Sequence, residues 1–265
     1  MVANVLAAHN VRVRGKADGQ PLVFAHGFGC DQRMWRLITP AFADAYRIVL
    51  FDYVGAGGAR RPFDPKRYAE LSGYADDVVA ILRALDLQDV IYVGHSVSAM
   101  IGVLAAKRAP ERFARTIMIG PSPRYIDDEG YVGGFTSEDI EELLENMEAN
   151  YLGWSGAITP VIMGNPDRPQ LTEELNNSFC RMDPKIASTF AQATFEADNR
   201  ADLPHHHIPT LVIQCQEDAI AGPEVGEYTA RTLPNAKIVY LEATGHCPHL
   251  SAPEDTIRAI QSFLT

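Results

Sequence analysis

A serine at a sharp turn is the residue of this chain best placed to do chemistry. Ser96 is the centre of the sequence GHSVS at residues 94–98, between an apolar, β-branched run and an apolar segment typical of a buried helix. A serine hydroxyl is a weak nucleophile that needs a base within hydrogen-bond reach. The N-terminus of a helix after the turn supplies free N–H groups and positive partial charge beside a reacting carbonyl. The pattern predicts nucleophilic chemistry at Ser96.

Two later side chains complete a candidate triad. Asp218 and His246 follow Ser96 along the chain, and each of the three comes directly after a predicted strand. The carboxyl ends of parallel strands share one edge of a sheet, where ligands bind. We therefore expect Ser96 to attack, His246 to move the proton and Asp218 to orient His246. Glu217, the neighbour of Asp218, remains an alternative acid.

Developing negative charge on a reacting carbonyl needs preorganised donors. The sequence HGFG at residues 26–29 follows a short buried strand, and its glycines let the backbone turn toward the site. We expect the backbone N–H groups of Phe28 and Val97 to form the oxyanion hole.

The usual form of the turn at the serine is G-x-S-x-G, and Ser98 takes the place of the last glycine. A small residue there still lets helix and strand approach closely.

Other motifs point to no cofactor and no metal. The glycines at 55–58 lack the G-x-G-x-x-G spacing of a dinucleotide site. The consecutive histidines 205–207 cannot all converge on one ion, and no cysteine or acidic ligand stands at suitable spacing. For His249 we expect a structural, hydrogen-bonding role.

The rest of the chain alternates strands and helices. This repetition predicts an α/β fold with a mostly parallel sheet and helices on both faces. Strand patterns are absent from residues 124–197, where four helices are expected: one opened by Thr136, one from Trp154 to Met163, one capped by Thr172 and one started by Asp183-Pro184. The predicted division is a core of residues 1–123 and 198–265 with a helical lid of residues 124–197. The candidate walls of a substrate pocket are Phe28, Phe135, Trp154, Phe190 and Phe195. For the four lid residues among them, packing between the lid helices is the alternative.

Composition and charge exclude several classes of protein. The 265 residues carry a net charge of −11, which disfavours a nucleic-acid partner, and no apolar run is long enough to cross a membrane. The first residues lack a signal-peptide pattern and the four cysteines are scattered, so we expect a cytoplasmic protein with free thiols. Residues 124–197 hold 14 acidic against 4 basic side chains, a net charge of −10. Either these acidic faces are simply solvated, or the lid docks a regulatory protein partner.

The chain resembles a known group within the α/β-hydrolases. The motifs are HGFGCDQ (26–32), LFDYVG (50–55), GHSVSAMIG (94–102), GGF (133–135) and GHCPH (245–249). They are similar to those of the bacterial stress-regulator hydrolase RsbQ and the plant strigolactone and karrikin receptors. The resemblance spans nearly the whole chain. It implies an α/β-hydrolase core, a V-shaped lid of four helices, the triad Ser96, Asp218 and His246, and a hydrophobic pocket for a small ligand.

From these residues and this resemblance we expect a serine hydrolase that cleaves an ester or lactone of a small apolar molecule. The alternative is a slow-turnover, ligand-sensing regulator that signals to a protein partner through its lid.

Overall fold

The computed structural model describes residues 2–265. Met1 lies outside the described residues; it is the first residue of the segment considered above for a signal peptide. A single seven-stranded sheet organises the fold, in the order β1-β3-β2-β4-β5-β6-β7. Strand β1 is antiparallel to β3, and every other neighbouring pair is parallel. The strands are β1 Arg12–Gly15, β2 Gln20–Ala25, β3 Tyr46–Leu50, β4 Val90–His95, β5 Phe113–Ile119, β6 Thr210–Glu217 and β7 Ala236–Thr244.

Strand β4 lies in the middle of the sheet, and all six of its residues are buried. Successive side chains of a strand point to opposite faces, so both faces of the sheet are covered here. The registers pair Ala25 with Gly94, His95 with Ile119, and Ile119 with Ile213. The carboxyl ends of four strands therefore line up along one edge. The predicted α/β class with a mostly parallel sheet is confirmed.

Helices fill the connections. They are α1 Val2–Ala8, α2 Leu71–Ala84, α3 Val97–Arg108, α4 Ser137–Ala149, α5 Tyr151–Met163, α6 Pro169–Phe179, α7 Pro184–Phe195, α8 Pro223–Thr232, α9 Pro248–Ser251 and α10 Pro253–Leu264. Within residues 2–265, no helix is long and apolar enough to cross a membrane. All four cysteines are free thiols.

Helices α4 to α7 occupy the segment in which four helices were expected. Thr136 and Asp139 form a reciprocal capping box at the start of α4, and Asp183 caps α7 through the N–H groups of its first turn, as predicted. The expected cap at Thr172 is wrong. The N-cap is Arg168, so helix α6 starts four positions earlier, at Pro169, because proline at a first helical position already has a helical φ and has no N–H to satisfy. The division into core and lid stays a prediction.

Close packing of α3 on β4 depends on a glycine. A Cβ atom built on Gly94 would lie 2.5 Å from the carbonyl oxygen of Ser98, and backbone at that distance has to shift. We expect Gly94→Ala to lower the free energy of unfolding by about 2 kcal/mol, in the range of overpacked cores. Urea denaturation measures the change.

Gly156, in α5, is the matched control, because a Cβ there meets no atom within 4 Å. Gly156→Ala should raise the free energy of unfolding by roughly 0.5–1 kcal/mol through helix propensity alone. Equal stabilities for Gly94→Ala and the wild type would contradict the close approach of α3 to β4.

Candidate active site

Ser96 occupies the turn between β4 and α3 in a strained backbone conformation. Its φ is 57° and its ψ is −127°, a region that non-glycine residues rarely adopt. The Ser96 N–H donates to the carbonyl of Ile119, at the end of β5, over 2.8 Å. This bond anchors the turn to the neighbouring strand, and the side chain is almost completely buried. The sharp turn aims the hydroxyl away from the sheet edge toward His246.

Three predicted side chains meet at this edge. The Ser96 Oγ lies 2.8 Å from His246 Nε2, and His246 Nδ1 lies 2.7 Å from Asp218 Oδ2. A carboxylate only accepts hydrogen bonds, so the proton of a neutral His246 belongs on Nδ1. Its Nε2 lone pair then accepts from the Ser96 hydroxyl. This is the arrangement in which an imidazole can take a proton from serine.

Asp218 is buried, and its second oxygen also has partners. Its Oδ1 accepts from the backbone N–H groups of Ile220 and Ala221, at 2.9 and 3.1 Å. Burial alone would raise the pKa of Asp218, but the charge of His246 and these hydrogen bonds together hold the pKa below its usual value. The carboxylate therefore stays ionised at neutral pH.

Glu217, the alternative acid, is exposed and faces elsewhere. Its Oε2 accepts from the Thr244 hydroxyl over 2.9 Å. Neighbouring residues at a strand end point to opposite sides, so only one of the two carboxylates can reach His246. The structure brings Asp218 there.

The backbone of His246 is fixed from two sides. Its N–H donates to the carbonyl of Ile162 in α5, and its carbonyl accepts from His95 Nε2, both over 2.8 Å. Gly245 has a φ of 92°, and a Cβ there would collide with the carbonyl oxygen of Met163. Burial lowers the pKa of His95 to about 3, which keeps this ring neutral. The loop that carries His246 is therefore held by β4 on one side and by α5 on the other.

The expected oxyanion donors flank Ser96. Val97 is the first residue of α3, and Phe28 lies in the loop after β2. Across residues 2–265, neither backbone N–H donates to another backbone or side-chain group. Gly27 allows the loop to pass this close, because a Cβ there would lie 2.5 Å from His95 Nδ1 and 3.3 Å from the Ser96 Cβ. Both N–H groups are therefore free for the expected role, one directly after Ser96 and the other in the loop that passes it.

Tyr125 is a site residue that sequence reasoning missed. Its hydroxyl lies 3.4 Å from Ser96 Oγ, and its ring is buried. Burial raises the pKa of Tyr125, so the phenol stays protonated. No motif contains this residue; the only available signal was its position shortly after β5, at the strand edge that holds the triad.

An apolar cavity of about 80 Å³ lies above the triad. Each of the helices α4 to α7 contributes to its wall, through Leu143, Trp154, Phe179 and Phe195 among others. Of the predicted pocket residues, four line this cavity: Phe28, Phe135, Trp154 and Phe195.

Phe190 does not line the cavity, which corrects the prediction. Its ring stacks on Tyr74 with centroids 4.2 Å apart and touches the edge of Phe28 at 5.6 Å. Phe190 thus packs behind the cavity wall, because its side of α7 faces α2 rather than the triad.

Among the described residues, one group of buried side chains has the spacing of metal ligands. His95, Cys247 and His249 each offer one ligand atom within 4.8 Å of the others, all buried. His95 Nε2 is already hydrogen-bonded to the His246 carbonyl. The hydrogen-bonding role expected for His249 is wrong: in the described part of the chain neither ring nitrogen has a partner, and the ring packs between Trp35 and His95.

The histidines at 205–207 do not converge. His206 is buried beside the Thr116 hydroxyl, whereas His205 and His207 are exposed.

Comparison with known proteins is consistent with this geometry. The model of the alpha/beta hydrolase family matches residues 22–259. The chain is 42% identical to strigolactone esterase D14 of Arabidopsis thaliana, covering 98% of both chains. It is 40% identical to karrikin insensitive 2 receptor CA of Petunia hybrida, covering 94% of this chain and 93% of that one. Among solved structures, a hydrolase from Oleispira antarctica is 40% identical with a TM-score of 0.96, covering 99% of this chain and 97% of that one.

Replacing the acid tests which carboxylate orients His246. An amide at position 218 can donate to Nδ1 and so favours the tautomer with its proton on Nε2, which cannot accept from Ser96. We expect Asp218→Asn to lower kcat on a p-nitrophenyl ester by about 10⁴-fold. Glu217→Gln, its matched control, should leave kcat within about 2-fold, since that side chain is exposed. The reverse pattern would assign the acid to Glu217.

Proposed function

The chain belongs to the α/β hydrolase family, and from this premise we propose that it is a serine hydrolase that cleaves an ester or lactone of a small apolar molecule. One observation carries the proposal: the Ser96–His246–Asp218 chain of hydrogen bonds at the base of an apolar cavity. In a largely apolar site, oriented donors stabilise developing charge far more than they do in water.

The proposed reaction has two stages. Ser96 Oγ attacks the carbonyl carbon while its proton moves to His246 Nε2, and Asp218 stabilises the imidazolium that forms. The oxyanion of the tetrahedral intermediate accepts hydrogen bonds from the Phe28 and Val97 N–H groups. The intermediate collapses when His246 protonates the leaving alkoxide, which leaves an acyl group on Ser96. Water, activated by the same histidine, then hydrolyses this ester.

The ligand proposal follows from the walls of the cavity. Six aromatic residues (Phe, Trp and Tyr) and several aliphatic side chains line the cavity together with Ser96 and His246, and its exposed lining is almost entirely apolar. Such a site favours an apolar acyl or ring system with a single reactive carbonyl. A volume of about 80 Å³ holds only a small group unless the wall moves.

A second candidate function is a slow-turnover regulator that senses its ligand and signals through a lid of residues 124–197. The receptor named among the relatives favours it, as do the exposed carboxylates of α4, which include Glu141, Glu142 and Glu145. Turnover separates the two candidates: an efficient enzyme reaches roughly 1–10³ s⁻¹ on its substrate. A regulator would stay well below that range while its melting temperature still responds to ligand.

Removing the nucleophile tests the mechanism. We expect Ser96→Ala to lose at least ~10³-fold in kcat, as triad knockouts do. The assay uses p-nitrophenyl esters of increasing acyl length and butenolide lactones, each read by hydrolysis and by melting shift. A folded Ser96→Ala protein that still shifts its melting temperature with ligand provides the control for binding. Near wild-type turnover in that protein would overturn the triad.

Shortening one wall residue tests the cavity. Trp154 packs edge-to-face with Phe28 and at a tilt against Phe179, and it lines the cavity that contains Ser96, so Trp154→Ala enlarges this cavity. We expect the ratio of kcat/KM for hexanoate over acetate to rise by about 10-fold, the order of effect of a few buried methylenes. Phe190→Leu is the control, since that ring lies behind the wall and its loss should lower stability without moving the ratio. A ratio that Trp154→Ala leaves unchanged would remove Trp154 from the substrate pocket.

A further inference from the structure

Ser98, the departure from the usual glycine, makes a bond that a glycine cannot make. Its side chain is fully buried at the second position of α3. The Ser98 hydroxyl donates to the carbonyl of His26 over 2.5 Å. Tyr53 Oη lies 2.9 Å from Ser98 Oγ. The first bond crosses from the serine turn to the loop that carries Phe28.

Counting protons fixes the direction of each bond. Ser98 has one hydroxyl proton, and it goes to the His26 carbonyl, which can only accept. The Tyr53 hydroxyl must therefore donate to Ser98 Oγ. The Tyr92 hydroxyl donates to the backbone carbonyl of Ser98 over 3.1 Å. Two buried phenols thus hold both oxygens of Ser98 in place.

Hydrogen bonds also constrain the loop of residues 26–29, which carries Phe28. His26 Nε2 accepts from the backbone N–H of Tyr53 over 3.2 Å, so the ring proton is on Nδ1 and donates to the carbonyl of Gly27 over 2.9 Å. Burial lowers the pKa of His26, which favours this neutral form. Tyr53 therefore touches the loop twice, through its backbone and, by way of Ser98, through its hydroxyl.

The sheet itself does not make this connection. The pairing of β2 with β4 ends at Ala25 and Gly94. Beyond that pair, among the residues that the structure describes, no backbone hydrogen bond joins residues 26–29 to residues 96–98. The Ser98 side chain therefore joins the loop of residues 26–29 to α3 where the strand pairing has ended.

We propose that Ser98 is a positioning residue that sets the distance between the two oxyanion donors by fastening the His26 carbonyl to the start of α3. Its own N–H is one residue from that of Val97, and the carbonyl that it holds is two residues before Phe28. The donors act only if both point at the same oxyanion, and misplacement by about 1 Å can cost 10²-fold in rate. This inference rests on the proposed function, since it assigns a role in the same reaction.

The test is Ser98→Ala, which keeps the side-chain volume nearly constant and removes the hydrogen bond to the His26 carbonyl. We expect kcat on a p-nitrophenyl ester to fall by roughly 10-fold, less than loss of a whole donor would cause, with KM within about 2-fold. The inhibition constant of an alkylboronic acid should weaken by the same factor, because its tetrahedral adduct with Ser96 also needs both donors. The pH profile should not move, since the His246–Asp218 pair is untouched.

Two further variants make the result decisive. Thr229→Val removes another fully buried hydroxyl, one that donates within α8, and it should change neither kcat nor boronate affinity. Tyr53→Phe leaves Ser98 bonded to the His26 carbonyl but removes the phenol that donates to Ser98 Oγ. It should lower kcat and boronate affinity by a smaller factor than Ser98→Ala. It also tests the positioning role if Ser98→Ala fails to fold. Wild-type kcat and boronate affinity in a folded Ser98→Ala, or losses equal to those of Thr229→Val, would overturn the positioning role. With Ser96→Ala inactive, such a result leaves the proposed function standing, whereas an active Ser96→Ala would overturn that function itself.

Discussion

The turn at Ser96 is the constraint on which the rest of the site depends. One residue has to reverse the chain from β4 into α3, and it does so with a positive φ that costs of order 1–3 kcal/mol. The surrounding structure enforces this conformation. Ile119 holds the Ser96 N–H, and Gly94 and Gly27 let backbone and side chains approach where a Cβ would collide. The stored strain keeps the hydroxyl exposed to the cavity and starts α3 beside it.

The sheet edge then brings in the base and the acid. A buried carboxylate is unfavourable unless its oxygens are satisfied, and Asp218 has two backbone donors and His246. His246 in turn depends on α5, whose Ile162 carbonyl holds its N–H. The helical segment is therefore joined to the chemistry through the backbone as well as through the cavity wall. A displacement of the end of α5 would carry the base with it.

Above this polar base the cavity is almost entirely apolar. Phe28 lies at the centre of the wall, with its ring against Trp154, Phe179 and Phe195. In the proposed reaction the same residue would also supply an oxyanion donor from its backbone. Apolar walls lower the local dielectric constant, which strengthens hydrogen bonds made to a charge that develops in the site.

The sequence by itself determined the fold class and the order of the chemical groups. A parallel sheet places all carboxyl strand ends at one edge, so Ser96, Asp218 and His246 were expected at the same edge because each was predicted to follow a strand. Local signals also located the caps of α4 and α7, because the capping residue lies within a turn of the groups that it satisfies.

Tertiary structure alone decided which side chains face one another. The sequence made Phe190 a candidate for the pocket wall, but its stacking on Tyr74 of α2 turns it away from the cavity. The contacts of Tyr125 with Ser96 and of Ser98 with His26 join residues 29 and 72 positions apart. His249 lies between two rings without a hydrogen bond for the same reason: its neighbours come from distant segments. Local sequence fixes which way a backbone turns, whereas the partner of a buried side chain depends on elements that the chain brings together only when it folds.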